Sequence, residues 1–215
     1  MKEAYIRFMA PVLPQTSDQL FRIIDKKISE KFEKIHLMLS SPGGSVFHGI
    51  SIYNFLKGAP IEVDTYNFGS VDSIGVVVFC AGKKRNSVPH ARFLIHGVRF
   101  NINNPASFDE KQLEEHLKGV KIDQINIARV ISDNTGKPLH KVEEDMNNRT
   151  TLNPGEAKDY GLVHEIKSSL FPIDADLSVI GEMGKNQQQG IPIPFGVTLQ
   201  PVQAYTRSAD LDFQT

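Results

Sequence analysis

The sequence predicts an α/β fold with mostly parallel strand pairing. Three observations carry that expectation. Short, continuously apolar runs of strand length, such as IHLMLSS at Ile35 to Ser41, look like strands buried on both faces. Segments with helical apolar spacing alternate with those runs. Proline and glycine punctuate the junctions, as at Pro42-Gly43-Gly44 and Lys57-Gly58-Ala59-Pro60.

In chain order, Glu3 to Pro11 reads as a strand. Thr16 to Phe32 carries Leu20, Ile23, Ile24 and Ile28 at the spacing of one helix face. After the Ile35 to Ser41 strand, Ser45 to Leu56 reads as a helix. IEVDTYNFG is a second strand running into a turn, SIGVVVFCAG a buried helix or strand, and ARFLIHG, Ala91 to Gly97, a third buried strand. Phe108 to Ser132 is a long helical stretch and Leu139 to Met146 a short one. Asn153 caps a helix that ends at Tyr160-Gly161-Leu162. Residues 1–166 are therefore expected to form one domain. From 167 to 215 the texture changes to Gln187-Gln188-Gln189 and scattered prolines, read as a tail or extended arm.

Bulk properties exclude several classes. With 215 residues, 40% of them hydrophobic, the chain can build a real core. A formal net charge of −1 offers no basic footprint for nucleic acid. The longest apolar run, Ile74 to Gly82, falls well short of the roughly 20 residues that span a bilayer. The opening MKEAYIRF lacks the apolar core of a signal peptide. The single cysteine, Cys80, excludes an internal disulfide framework and a cysteine-based zinc cluster. His36, His48, His90, His116, His140 and His164 show no metal-ligand spacing. The expectation is a cytoplasmic protein without metal or cofactor.

Two places carry chemistry. SSPGGSV follows a buried strand and opens a helix, so its glycines permit close backbone approach to a ligand. Amides at the helix start would face negative charge: a phosphate, an oxyanion, or nothing if this is a plain turn. No nucleotide-binding glycine motif is present. In GSVDSIG, Ser73 sits between a strand end and an apolar element, although Val71 breaks the G-x-S-x-G elbow. His96 closes the run FLI on a strand. A serine hydroxyl needs a base within hydrogen-bond reach, and histidine suits that task near neutral pH. Both residues lie at the ends of neighbouring buried elements, where α/β folds gather their sites.

Taken together, SSPGGSV, GISIYNFL, GSVDSIG, AGKKRNSVPHARFLIHG and EAKDYGLVHEI resemble, in order and spacing, the proteolytic subunit of Clp protease. The resemblance runs from about Ala4 to Ile166. It implies the ClpP/crotonase-like fold, stacked β-β-α turns with a protruding handle helix, here within Phe108 to Ser132. It implies a serine endopeptidase with Ser73 as nucleophile, His96 as general base, and the amides of Gly44 and Ile74 as oxyanion hole. It further implies protein or peptide substrates and assembly into stacked rings of seven that enclose the active sites.

The sequence departs from the family pattern in places. Counting back from Glu156-Ala157 puts Arg149 where the family has the aspartate that orients the histidine, and arginine cannot accept a hydrogen bond. Asp145, one helical turn earlier, is the expected substitute, with Asn148 next, Asn147 beside it, and a Ser-His dyad as the remaining option. Asp72 precedes the serine where the family has a small apolar residue, and is expected to point away from Ser73. The chain begins almost at its first strand, without a segment for axial loops, and it has no P-loop; docking of a Clp-type ATPase is therefore open. Alternatives are a catalytically silent ClpP-like structural subunit, a phage-type maturation protease, and a crotonase-type acyl-CoA enzyme.

Overall fold

The computed structural model describes residues 2–99, 107–181 and 198–199. One sheet organises the chain. Its main path runs β6 (Thr150–Leu152), β5 (Arg92–Ile95), β3 (Glu62–Asp72), β2 (Lys34–Ser41), β1 (Glu3–Met9), β8 (Asp176–Gly181), β9 (Thr198–Leu199), while β4 (Arg85–Ser87) pairs with β3 and with β7 (Glu165–Ile166). All pairings are parallel except β5 with β6. Eleven-residue β3 serves two partners in turn: Thr65 to Asn67 pair with β4, and Ser70 to Asp72 pair with β5. That forking lets one strand carry the chain from the deep core to the site.

Strand periodicity sorts the side chains. Ala4, Ile6 and Phe8 of β1 and Ile35, Leu37 and Leu39 of β2 belong to the main core, against the helices. Met38, Tyr66 and Leu177 form a smaller cluster on the other face, with Tyr5 packed against it. Helix α1 (Pro14–Ser29) buries Leu20, Ile23 and Ile24, the stripe its spacing predicts. Helix α2 (Val46–Gly58) begins at Ser45, whose hydroxyl accepts from the His48 amide. Helix α3 (Ile74–Cys80) is buried along its whole length, which resolves the helix-or-strand ambiguity of SIGVVVFCAG in favour of helix. Burial pushes the Cys80 thiol up to about 12, leaving it an unreactive apolar filler.

Helix α4 (Glu110–Thr135) is the predicted handle. At 1.5 Å per residue its 26 residues extend about 39 Å. A capping box starts it: Asp109 accepts from the Gln112 amide at 2.8 Å, and the Asp109 amide donates to Gln112 Oε1 at 3.0 Å. Gly136, at φ 75°, stops it. Only its second half enters the core, through Ile127, Ala128 and Ile131. Helices α5 (Leu139–Asn147) and α6 (Pro154–Asp159) follow, the latter capped by Asn153 as expected.

Arg85 ties three helix ends together. Its buried guanidinium donates to the carbonyls of Leu162 at 2.8 Å, Asn134 at 2.7 Å, Gly161 at 3.2 Å and Gly82 at 3.5 Å. These follow α6, close α4 and follow α3, where unpaired carbonyls and the negative end of the helix dipole gather.

Beyond residue 166, Asp176–Gly181 joins the sheet beside β1, with Ala4 opposite Asp176 and Met9 opposite Gly181. Lys27 of α1 anchors it through a 2.6 Å ion pair with Asp176. The glutamine run and Pro192, Pro194 and Pro201 lie outside the described residues. Among the described residues, no helix is long and apolar enough to cross a membrane, and no three acidic, histidine or cysteine side chains cluster as metal ligands.

An ion network closes the opposite end of β2 and β3. Lys34 reaches Asp64 at 2.7 Å and Glu62 at 2.9 Å, and Lys83 also contacts Glu62. Hydrogen bonds from Lys83 and Lys34 hold the Glu62 carboxyl down at about 2, against 4.5 when unperturbed. A depressed carboxyl contributes stability above its unfolded pKa and loses it as pH falls through the folded one. Denaturation midpoints should therefore drop between pH 4.5 and 2, and Glu62→Gln should flatten that drop. A variant with the parental acid slope would exclude this network as its source.

Candidate active site

The parallel strands deliver their C-terminal ends to one edge, and the site is built there. Strand β2 ends at Ser41 and leads through Pro42, Gly43 and Gly44 into α2. Strand β3 ends at Asp72 and turns through Ser73 into α3. Strand β5 ends at Ile95, directly before His96. A pocket of about 240 Å³ opens among Gly44, Ser73, Ile74, His96, Arg99 and Ile127. Ser73 and His96, 23 positions apart in sequence, thus line one cavity.

Ser73 has φ 59° and ψ −129°, a conformation costly for a residue with a side chain, on the order of 1–3 kcal/mol. The surroundings enforce it. The Ser73 amide donates to the Leu94 carbonyl at 2.8 Å, which locks the turn to β5. Phe79 of α3 packs edge-on against Phe93 of β5 with ring centres 5.0 Å apart. The helix that begins at the serine and the strand that ends before the histidine are therefore one packed unit.

Gly43 and Gly44 are demanded by close approach. A Cβ on Gly43, at φ +89°, would lie 2.6 Å from Ser73 Cβ; one on Gly44 would lie 2.3 Å from the Val12 carbonyl oxygen. Val12 donates to the Gly43 carbonyl and accepts from the Ser45 amide. That bridge turns the N–H of Gly44 away from Val12. The Ile74 amide lies in the first turn of α3, where N–H groups have no helical partner. Among the described residues, two donors without an acceptor thus flank the serine. Gly43→Ala should push Ser73 off its position and slow peptide cleavage by about 10²-fold, since a shift near 1 Å costs that much. Initial rates on a fluorogenic peptide, with folding checked by circular dichroism, measure it; a parental rate would show that the turn yields without moving the serine.

His96 Nδ1 pairs with the Gly97 carbonyl oxygen at 2.6 Å. A carbonyl only accepts, so Nδ1 carries the proton and the neutral ring has its lone pair on Nε2. No hydrogen bond joins His96 to Ser73 Oγ among the described residues; both line the pocket, and such bonds often tighten only around substrate.

Asp145, expected to orient His96, is engaged elsewhere. Its Oδ2 accepts from Tyr160 Oη at 2.9 Å, and its Oδ1 lies 3.4 Å from Lys141 Nζ. The cause is local: α5 buries Asp145 toward the Tyr160 side, where Tyr160's own burial, and then the Asp145 carboxylate, raise the tyrosine hydroxyl pKa. Asn147 and Asn148 are exposed, as is Arg149, which adopts φ 55°. Asp72 points away from Ser73 as anticipated: it accepts from Ser70 Oγ and Arg92, both at 2.8 Å. The group the sequence did not expose is the Gly97 carbonyl, a backbone atom with no residue signature.

A serine on a strained strand-to-helix turn, with a histidine and two amides around the same pocket of a parallel sheet, is an arrangement that serine-peptidase chemistry can use. Residues 1–169 match the Clp protease family profile. The chain belongs to the Clp protease family. It is 35% identical over 159 residues to the ATP-dependent Clp protease proteolytic subunit 1 of Synechococcus sp. (strain CC9902), covering 70% of this chain and 78% of the relative. It is 34% identical over 159 residues to subunit 2 of Parasynechococcus marenigrum (strain WH8102), with the same coverage. Against subunit 1 of Prochlorococcus marinus (strain NATL2A) it is 31% identical over 159 residues, 71% of this chain and 79% of the relative. The class of activity is that of a serine-type endopeptidase.

Proposed function

We propose that Ser73 and His96 cleave peptide bonds as a dyad, with the amides of Gly44 and Ile74 as oxyanion hole. The observation that carries this is the strained Ser73 turn opening into the pocket that His96 also lines. His96 Nε2 takes the Ser73 proton as Oγ attacks the scissile carbonyl. The developing oxyanion accepts from Gly44 and Ile74. The C–N bond then breaks, the amine leaves with the proton from His96, and water repeats the sequence to release the acyl group.

A fluorophosphonate probe should label the folded protein at Ser73, located by peptide mass mapping. No labelling, under conditions that label an ordinary serine peptidase, would rule the dyad out.

Residues 1–166 supply the peptidase unit, and the segment from 167 acts as an arm that completes the sheet edge. The relatives' names describe ATP-dependent subunits of a larger protease. By the same reading this chain works in a ring of seven, on unfolded or small protein substrates, in the cytoplasm. Exposed Leu113, Leu117, Ile122 and Ile125 along α4 support assembly, because a monomer rarely leaves such a stripe uncovered. Analytical ultracentrifugation of the purified chain tests the ring.

A second reading is a catalytically silent subunit. Arg149 in the aspartate position favours it, as does the absence, among the described residues, of a carboxylate on His96. Cleavage of a fluorogenic peptide by the purified chain, lost on Ser73→Ala, would dismiss it.

A further inference from the structure

We propose that Gln124 is the positioning residue for His96, acting through the peptide unit between Gly97 and Val98. The inference rests on His96 as the general base. The carbonyl oxygen of Gly97 and the N–H of Val98 are opposite ends of one rigid, trans planar group. The oxygen accepts from His96 Nδ1 at 2.6 Å, and the N–H donates to Gln124 Oε1 at 2.8 Å. Whatever grips the N–H therefore aims the oxygen.

The neighbouring peptide unit is held as well, because the Gly97 N–H donates to the Met146 carbonyl at 3.0 Å. Between these anchors sits a glycine, the residue whose dihedrals rotate most freely. The Gln124 amide lies hard against it: a Cβ on Gly97 would come within 3.2 Å of Gln124 Oε1. Gln124 itself is rigidly based. It lies on α4 one turn before Ile127, which is buried and lines the pocket.

Released from Gln124, the peptide unit can turn and withdraw its oxygen from Nδ1. The imidazole is then free to take the Nε2–H tautomer, which cannot accept the Ser73 proton. A neutral amide thus does at one remove what a carboxylate does by direct contact. It supplies orientation without a full counter-charge for the imidazolium.

Two full-length variants separate orientation from charge. Gln124→Met keeps the volume and loses the acceptor. Gln124→Glu keeps an acceptor oxygen and adds an anion at the end of the peptide group. The readout is the rate of fluorophosphonate labelling at Ser73 as a function of pH. Gln124→Met should label about tenfold more slowly on the alkaline plateau, the effect of losing one hydrogen bond from the base's support. Gln124→Glu should keep the parental plateau and move the acid limb to higher pH, since the anion favours the imidazolium. Parental rates and an unmoved limb in Gln124→Met would overturn the proposal. So would equal slowing in both variants, which marks a packing role only. If Gln124→Met does not fold, the Gln124→Glu acid limb decides, and no upward movement is a refutation. A parental chain that fails to label at Ser73 refutes the reading of the base, a result seen before any variant is made.

Discussion

Alanine at Ser73 is expected to lower peptide cleavage by on the order of 10⁴-fold or more, to the level that binding and oxyanion stabilisation alone sustain. His96→Ala should fall to the same floor, and the double variant no lower, because in the proposed dyad nucleophile and base act as a unit. Both side chains are only half-buried at the pocket, so neither change should alter folding. Ser73→Ala should in fact remove little packing while leaving the strained turn in place, held by the Leu94 carbonyl and the Phe79–Phe93 contact. The measurement is turnover of a fluorogenic peptide by variants purified in parallel. Retention of a tenth of parental turnover by either single variant would remove that residue from the mechanism.

The second large effect is on stability. Arg85→Ala should cost about 3–5 kcal/mol, because it strands several buried carbonyls at once, each costly when unpaired. Burial lowers the Arg85 pKa, and no carboxylate offsets its charge among its hydrogen-bond partners; the acceptors are all main-chain oxygens. Replacing the side chain therefore removes donors rather than breaking an ion pair. Arg85→Lys should recover only part of the loss, since an ammonium cannot span the fork that reaches Asn134 and Leu162 together. Chemical denaturation midpoints report it. A loss below 1 kcal/mol would mean that water enters and satisfies the carbonyls.

Much of the frame was legible in the sequence because it follows from periodicity and punctuation. The buried run before Pro42-Gly43-Gly44, the α1 stripe and the Asn153 cap each have a local physical cause that residue types display. Ser73 and His96 were legible as a pair only through five ordered segments. The positive φ of Ser73 has no residue signature, since nothing in a serine announces a conformation imposed by its neighbours. Strands β4, β6 and β7 are two or three residues long, too short to carry a period. The partner of His96 Nδ1 escaped because it is main chain. Asp145 had the right charge and a plausible distance in sequence, but one helix face decides where a carboxylate goes, and that face turns it to Tyr160.

Strand β8 has a consequence in time. It completes the pairing of β1, yet Ala4 is synthesised long before its partner Asp176. At about 5–20 residues per second, β1 waits roughly 10–30 s for its second neighbour. During that interval a strand later enclosed on both sides is a bare edge with open hydrogen-bonding groups. The nascent chain is thus exposed along β1 until β8 emerges, and β8 acts as a late-arriving chaperone for it.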